Sequence, residues 1–215
     1  MAASSGAYRA DPQNVRWPSP PRSAPCCRPG NNPRHGFGRT PAPAKSLPIK
    51  LGISSYSYWH FKTDNVPIES VIDKTAAIGV EGVDILHRQM DMDEFGRLDN
   101  ASHAYCRKLK RHAFRAGVDL ICLSIHQDFV SPNPAERHKW VAHTEKCIEI
   151  AYALGVPCIR LNSGRWKTTK DFSELMKNRG EEPILPGFKE ADGFKWAIES
   201  INECLQLAAQ RGVIL

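Results

Sequence analysis

The chain has no apolar run near the ~18 residues that a membrane-crossing helix requires, although 41% of its 215 residues are hydrophobic. It also lacks a C-x-x-C pair, a G-x-G-x-x-G turn and, over most of its length, any excess of charge. The missing apolar run leaves no membrane partner to expect. Cysteines stand at positions 26, 27, 106, 122, 147, 158 and 204, a spacing that makes neither a zinc ribbon nor a thioredoxin-type redox pair. Their odd number and the absence of a secretory apolar core fit a reducing compartment, so a cytoplasmic location is expected. In that setting the cysteines serve as small hydrophobes.

Charge is distributed unevenly. Seven of the 29 Lys/Arg (Arg9, Arg16, Arg22, Arg28, Arg34, Arg39, Lys45) and one of the 23 Asp/Glu (Asp11) fall within residues 1–47, which leaves 22 of each sign beyond them. The formal +6 therefore belongs to that segment. The rest gives no electrostatic case for a nucleic-acid partner. Residues 1–47 also hold nine prolines and almost no apolar periodicity. Such a composition cannot offset chain entropy, so 1–47 reads as a disordered Pro/Arg-rich extension and 48–215 as the folded part.

What the chain does have is a repeated Gly-Val step, at Gly79-Val80, Gly117-Val118, Gly155-Val156 and Gly212-Val213, with the glycines 38, 38 and 57 residues apart. A glycine closes a helix in the left-handed conformation and the valine opens a strand, so the period describes successive βα units. The pattern predicts strands at 49–53, 83–86, 118–125 and 156–161, the third buried on both faces. Helices are predicted over 67–78, 101–116 and from the Asn133-Pro134-Ala135-Glu136 cap to Leu154. Tyr105, Leu109, His112 and Ala116 should share one side of the second. The last helix starts at Asp192, with Phe194, Ala197, Ile198, Ile201, Leu205 and Ala208 as its apolar line. The long final interval places an insertion at 165–191, between strand four and that helix. No glycine-rich phosphate loop follows strand one, where Ser54-Ser55-Tyr56 stands, so a nucleotide-binding doubly wound sheet is disfavoured. The expected fold class is α/β, a TIM (β/α)8-type barrel truncated after about four βα units, at the start of strand five.

In such a barrel the reactive groups collect where strands end. Those positions hold Tyr56, Tyr58, Trp59 and His60 after strand one, Asp84 and His87 at strand two, His126 and Asp128 after strand three, and Arg160, Asn162, Arg165 and Trp166 after strand four. His126 directly follows a buried strand and can face a pocket. Tyr58-Trp59 suits a sugar face or core packing, and Arg165 a phosphate or carboxylate. Asp84-x-x-His87 and His126-x-Asp128 have metal-binding residue types at spacings too general to specify a site. Substrate-binding candidates are therefore His126, Trp59, Tyr56, His87, Asn162 and Arg165, with no catalytic and no metal residue assigned.

The residues Lys50-Leu51-Gly52-Ile53-Ser54, Ile78-Gly79-Val80-Glu81-Gly82-Val83-Asp84, Ser124-Ile125-His126 and Ile150–Leu161 resemble the xylose isomerase-like TIM-barrel superfamily, the sugar phosphate isomerase/epimerase group, over about 49–215. The resemblance implies a divalent metal (Mn, Mg, Co or Zn) that polarises a substrate carbonyl while carboxylates move a proton between adjacent carbons of a small sugar, sugar phosphate or keto-acid. It places the metal ligands at the ends of strands five to eight, so no metal is expected on this chain alone and the chain is expected to be an inactive fragment. Apurinic endonucleases share the superfamily and use histidines at the ends of strands three and four. His126 matches the first, but Asn162 stands at the second and is a poor zinc ligand. A third reading is a non-catalytic half-barrel whose open sheet edges allow self-association.

Overall fold

The computed structural model describes residues 49–59 and 64–215; the extension expected at 1–47 and the candidate His60 lie outside the described residues. The described chain alternates strand and helix: β1 (Gly52–Ser54), α1 (Ile68–Ile78), β2 (Gly82–Leu86), α2 (Asn100–Ala116), β3 (Asp119–Ser124), α3 (Pro134–Leu154), β4 (Ile159–Arg160), a short α4 (Phe172–Lys177) and α5 (Glu190–Arg211). Among the described residues no helix is long and apolar enough to cross a membrane.

The strands form one parallel sheet in the order β1-β2-β3-β4. Sequential order is the winding of a βα barrel; a doubly wound sheet reverses at a switch point. Past α5 the backbone turns back beside β4. Ile159 N donates to Ile214 O at 2.8 Å and Ile214 N to Pro157 O at 3.0 Å, a parallel bridge.

Each long helix ends in the same way. Gly79, Gly117, Gly155 and Gly212 have φ of 78°, 70°, 74° and 65°. Their amides donate to Ala76, Phe114, Tyr152 and Ala209, while the valine that follows each donates one residue further back, to Thr75, Ala113, Ala151 and Ala208. This paired closure is the Schellman motif, and it satisfies carbonyls that the helix end would otherwise leave bare. Val118, Val156 and Val213 are then buried as their chains enter the sheet. The glycine fixes the turn and the valine anchors it.

The core lies between sheet and helices. Val83, Ile85, Leu123, Ile125 and Ile159 are buried beneath Ile68 and Ile72 of α1, Leu109 of α2 and Ile148 and Ala151 of α3. Burial of each large aliphatic side chain contributes about 1.5–3 kcal/mol. Alternate strand residues face the other way. There Ser124 Oγ donates to the Asp84 carboxylate at 2.6 Å, and Arg160 Nε donates to Ser124 Oγ at 3.0 Å.

Three expectations need correction. The buried line of α2 is Cys106, Leu109 and Ala113, while His112 stands on its flank and meets Asp73 at 2.7 Å. On α5 the buried residues are Gly193, Ala197, Ser200, Cys204 and Ala208; Phe194, Ile198 and Leu205 point outward. α5 lies close along α3, with Cys204 Sγ donating to Val141 O at 3.9 Å, and close helix approach selects small side chains. β3 is covered on both faces only toward its end: Leu123 and Ser124 are buried, whereas Ile121 remains 37% exposed.

Candidate functional site

At the C-terminal ends of β2, β3 and β4 the chain opens a cleft of about 790 Å³. His126, Gln127 and Asp128 enter from the end of β3, Asn162 to Arg165 and Lys167 from β4, and Arg88 from β2, while Phe172 and Leu175 of α4 wall one side. The insertion expected at 165–191 thus contributes to the same cleft. Gly164 permits the two loops to meet: its φ is 106°, and a Cβ there would lie 2.8 Å from Phe129 N and 2.6 Å from Asp128 Oδ1. Phe129 N donates to Ser163 O at 3.0 Å across that crossing.

Cations dominate this rim. Asp128 is ion-paired with Lys167 and also accepts the Arg165 amide at 3.3 Å. The Arg165 guanidinium donates to Thr169 O at 2.9 Å, and Arg160 Nη1 donates to Asn162 Oδ1 at 3.1 Å. Arg88 Nε is held by Glu94 at 2.7 Å. Desolvation, followed by the positive charges of Arg88 and Arg160, holds the His126 imidazole below its ordinary pKa, with Glu94 opposing. His126 is therefore a neutral ring at neutral pH, able to donate from one nitrogen and accept at the other.

Of the sequence candidates, His126, Asn162 and Arg165 meet in the cleft. Tyr56 is 44% exposed in the turn after β1, Trp59 is half-buried just beyond it, and neither lines the cleft. His87 is 2% exposed and lies behind the rim, against His143 and Cys147 of α3. Arg88, Gln127, Trp140 and Lys167 also line the cleft, and the sequence reading did not single them out. Arg88 carried the clearest signal, since it follows His87 directly at a strand end.

Among the described residues, no group of three or more potential metal donors comes together at this rim. Both Asp84 oxygens accept from Ser124, Asp128 is taken by Lys167, and the Asn162 oxygen is taken by Arg160. The surroundings suit an anion.

Known structures agree with this architecture. The D-psicose 3-epimerase of Clostridium cellulolyticum H10, solved with D-tagatose, superposes with a TM-score of 0.55 at 21% identity, over 77% of this chain and 50% of that one. A D-psicose 3-epimerase solved in the presence of D-fructose gives 0.56 at 19%, over 77% and 51%. The 3-keto-D-glucoside 4-epimerase of E. coli gives 0.52 at 15%, over 78% and 55%. At these identities the likeness is one of fold, and the chain spans about half the length of each. No curated protein sequence matches it. The family model described as the xylose isomerase-like TIM barrel matches residues 72–215, a stretch that includes all four Schellman closures, β2 to β4 and the whole cleft. The chain belongs to the xylose isomerase-like TIM-barrel family.

Proposed function

We propose that the chain supplies a substrate-holding wall of a sugar isomerase or epimerase, and that the rim cleft takes a small sugar bearing an anionic group, a sugar phosphate above all. The observation that supports this reading is the cluster of Arg88, Arg165 and Lys167 around His126 and Asn162 in one cleft at the strand ends. Arginine and lysine hold phosphate oxygens by charge-assisted hydrogen bonds. The neutral His126 ring and the Asn162 amide nitrogen bring polar groups suited to sugar hydroxyls. The names of the epimerase structures agree with a sugar as substrate. The family's divalent metal (Mn, Mg, Co or Zn) is outside this proposal, and no catalytic residue is assigned. The proposal treats 48–215 as the folded unit and 1–47 as its extension. Self-association through open sheet edges is the matching proposal for partners, and a cytoplasmic location for the compartment.

Calorimetric titration of the chain with fructose 6-phosphate and with fructose tests the assignment. Saturable binding is expected for the phosphorylated sugar, weaker for fructose, and falling by about tenfold in Lys167→Ala or Arg165→Ala at unchanged circular dichroism. Equal binding of both sugars, or binding indifferent to both substitutions, would defeat it. Asn162 gives no support to an apurinic-endonuclease reading, since its side-chain oxygen is turned to Arg160.

A further inference from the structure

Behind the rim, on the helix side of the sheet, three side chains that the cleft does not use come together. His87 opens the turn after β2, while His143 and Cys147 stand four residues apart on α3 and so share one face. They are 2%, 3% and 0% exposed. Cys147 Sγ lies 3.6 Å from His87 Nδ1 and 3.9 Å from either ring nitrogen of His143. One donor atom from each residue falls within 4.8 Å of the other two. His87 Nε2 and Gln127 Oε1 are buried here and make no hydrogen bond. The orphaned nitrogen is His87 Nε2, while Nδ1 faces Cys147; an unpartnered buried ring nitrogen beside nitrogen and sulfur donors points to an absent partner.

We propose that His87, His143 and Cys147 form a buried binding site for a soft divalent cation, zinc in particular, separate from the rim cleft. Zinc takes imidazole nitrogen at about 2.0–2.1 Å and thiolate sulfur at about 2.3 Å, so tetrahedral donors sit about 3.3–3.6 Å apart. The two sulfur–nitrogen separations, 3.6 and 3.9 Å, are at most a few tenths of an ångström wider, and the two imidazoles, with donors within 4.8 Å of each other, must rotate toward the metal. The helical His-x-x-x-Cys pair supplies two ligands from one rigid element, and the end of β2 supplies the third.

The surroundings are consistent with this. Burial depresses the His87 pKa to about 3 and that of His143 to about 4, which leaves both rings neutral. Burial pushes the Cys147 thiol up, so the thiol loses its proton only when a cation takes its place; binding forms the sulfur–metal bond and releases that proton to solvent. The nearest cations are held elsewhere: Lys146 donates to the carbonyls of Asp93 and Glu94, and Arg88 is paired with Glu94. Gln127 Nε2 at 3.2 Å and Glu94 Oε1 at 3.8 Å flank the His143 ring. With a metal on Nδ1, the remaining Nε2–H points to the Glu94 carboxylate, the acceptor that can orient the ring. The site departs from the expectation that this chain alone binds no metal, and its ligands are not on the strand ends where the resemblance puts the family's cation.

Chelator-stripped 215-residue chain titrated with cobalt(II), and separately with zinc, gives the test. A folded wild-type chain should take up a cobalt ion that shows thiolate-to-metal charge transfer and the visible bands of a tetrahedral site, and zinc should raise its Tm. In Cys147→Ala, His143→Gln and His87→Gln the metal count should fall by about one, with affinity reduced more than about 100-fold. Cys204→Ala, another buried thiol on α5, should behave as wild type. Three readouts guard against mere unfolding: circular dichroism, the two histidine variants, and fructose 6-phosphate binding at the rim, which Cys147→Ala should leave intact. Absence of the cobalt spectrum from folded wild type, or its survival in folded Cys147→Ala, would overturn the proposal whatever the rim does.

Discussion

His126 is held neutral by its position at the end of β3, where burial and the nearby Arg88 and Arg160 both disfavour a charged ring. The unfolded imidazole protonates near 6.5, so below that pH the unfolded chain takes up a proton that the folded chain resists. His126 therefore costs stability as pH falls beneath 6.5 and contributes none of this penalty above it. An NMR pH titration of the ring should give a midpoint below 6.5, and Arg160→Ala should move it upward by removing one of the two positive neighbours. A midpoint at or above 6.5 in the wild type would contradict the electrostatics of the rim. At this scale the sequence was legible where a residue's position follows from strand order alone: His126, Asn162 and Arg165 each lie just past a strand end and do meet in the cleft. It was silent on Lys167 and Trp140. Lys167 reaches the cleft through a positive φ of 58° in an irregular loop, and Trp140 arrives from α3, whose rotation about its own axis only packing determines.

Among the elements, the Schellman closures were the most legible because their information is local. One glycine and one valine specify the turn, the two backward hydrogen bonds and the entry into the next strand. Replacing Gly117 with Ala tests this directly. Nothing lies within 4 Å of the position a Cβ would take, so the cost is conformational rather than steric, about 1–2 kcal/mol for an L side chain held in the left-handed region. A urea midpoint should fall accordingly, and Gly117→Asn should lose less, since Asn tolerates that region. Equal stability of Gly117→Ala and wild type would mean that the turn is not what closes α2. Helix faces were less legible. A 3–4 spacing of apolar residues on α5 named Phe194, Ala197, Ile198, Ile201, Leu205 and Ala208, yet only Ala197 and Ala208 of these belong to the buried side, which Gly193, Ser200 and Cys204 complete. Periodicity finds the most hydrophobic stripe, whereas contact between two long helices favours the smallest.

For the molecule as a whole, the sequential parallel sheet gives its two sides different characters. The helix-covered side carries the continuous aliphatic core and the buried His87-His143-Cys147 group, while the opposite side carries Asp84, Ser124 and Arg160 in hydrogen-bonded contact. α5 adds a third surface. Its outward Ile198 and Leu205 are 58% and 47% exposed, next to Phe194 at 63%, and apolar area of this kind promotes aggregation when nothing covers it. Since these two side chains are largely out of the core, Ile198→Gln with Leu205→Gln should leave the far-UV spectrum unchanged and the Tm within a few degrees, a surface-sized effect of about 0.5 kcal/mol. Light scattering at matched concentration should drop at the same time. If the double variant instead unfolds at a much lower temperature, the two residues belong to the folding core after all, and the assignment of the small-residue stripe as the packed face of α5 would have to be reversed.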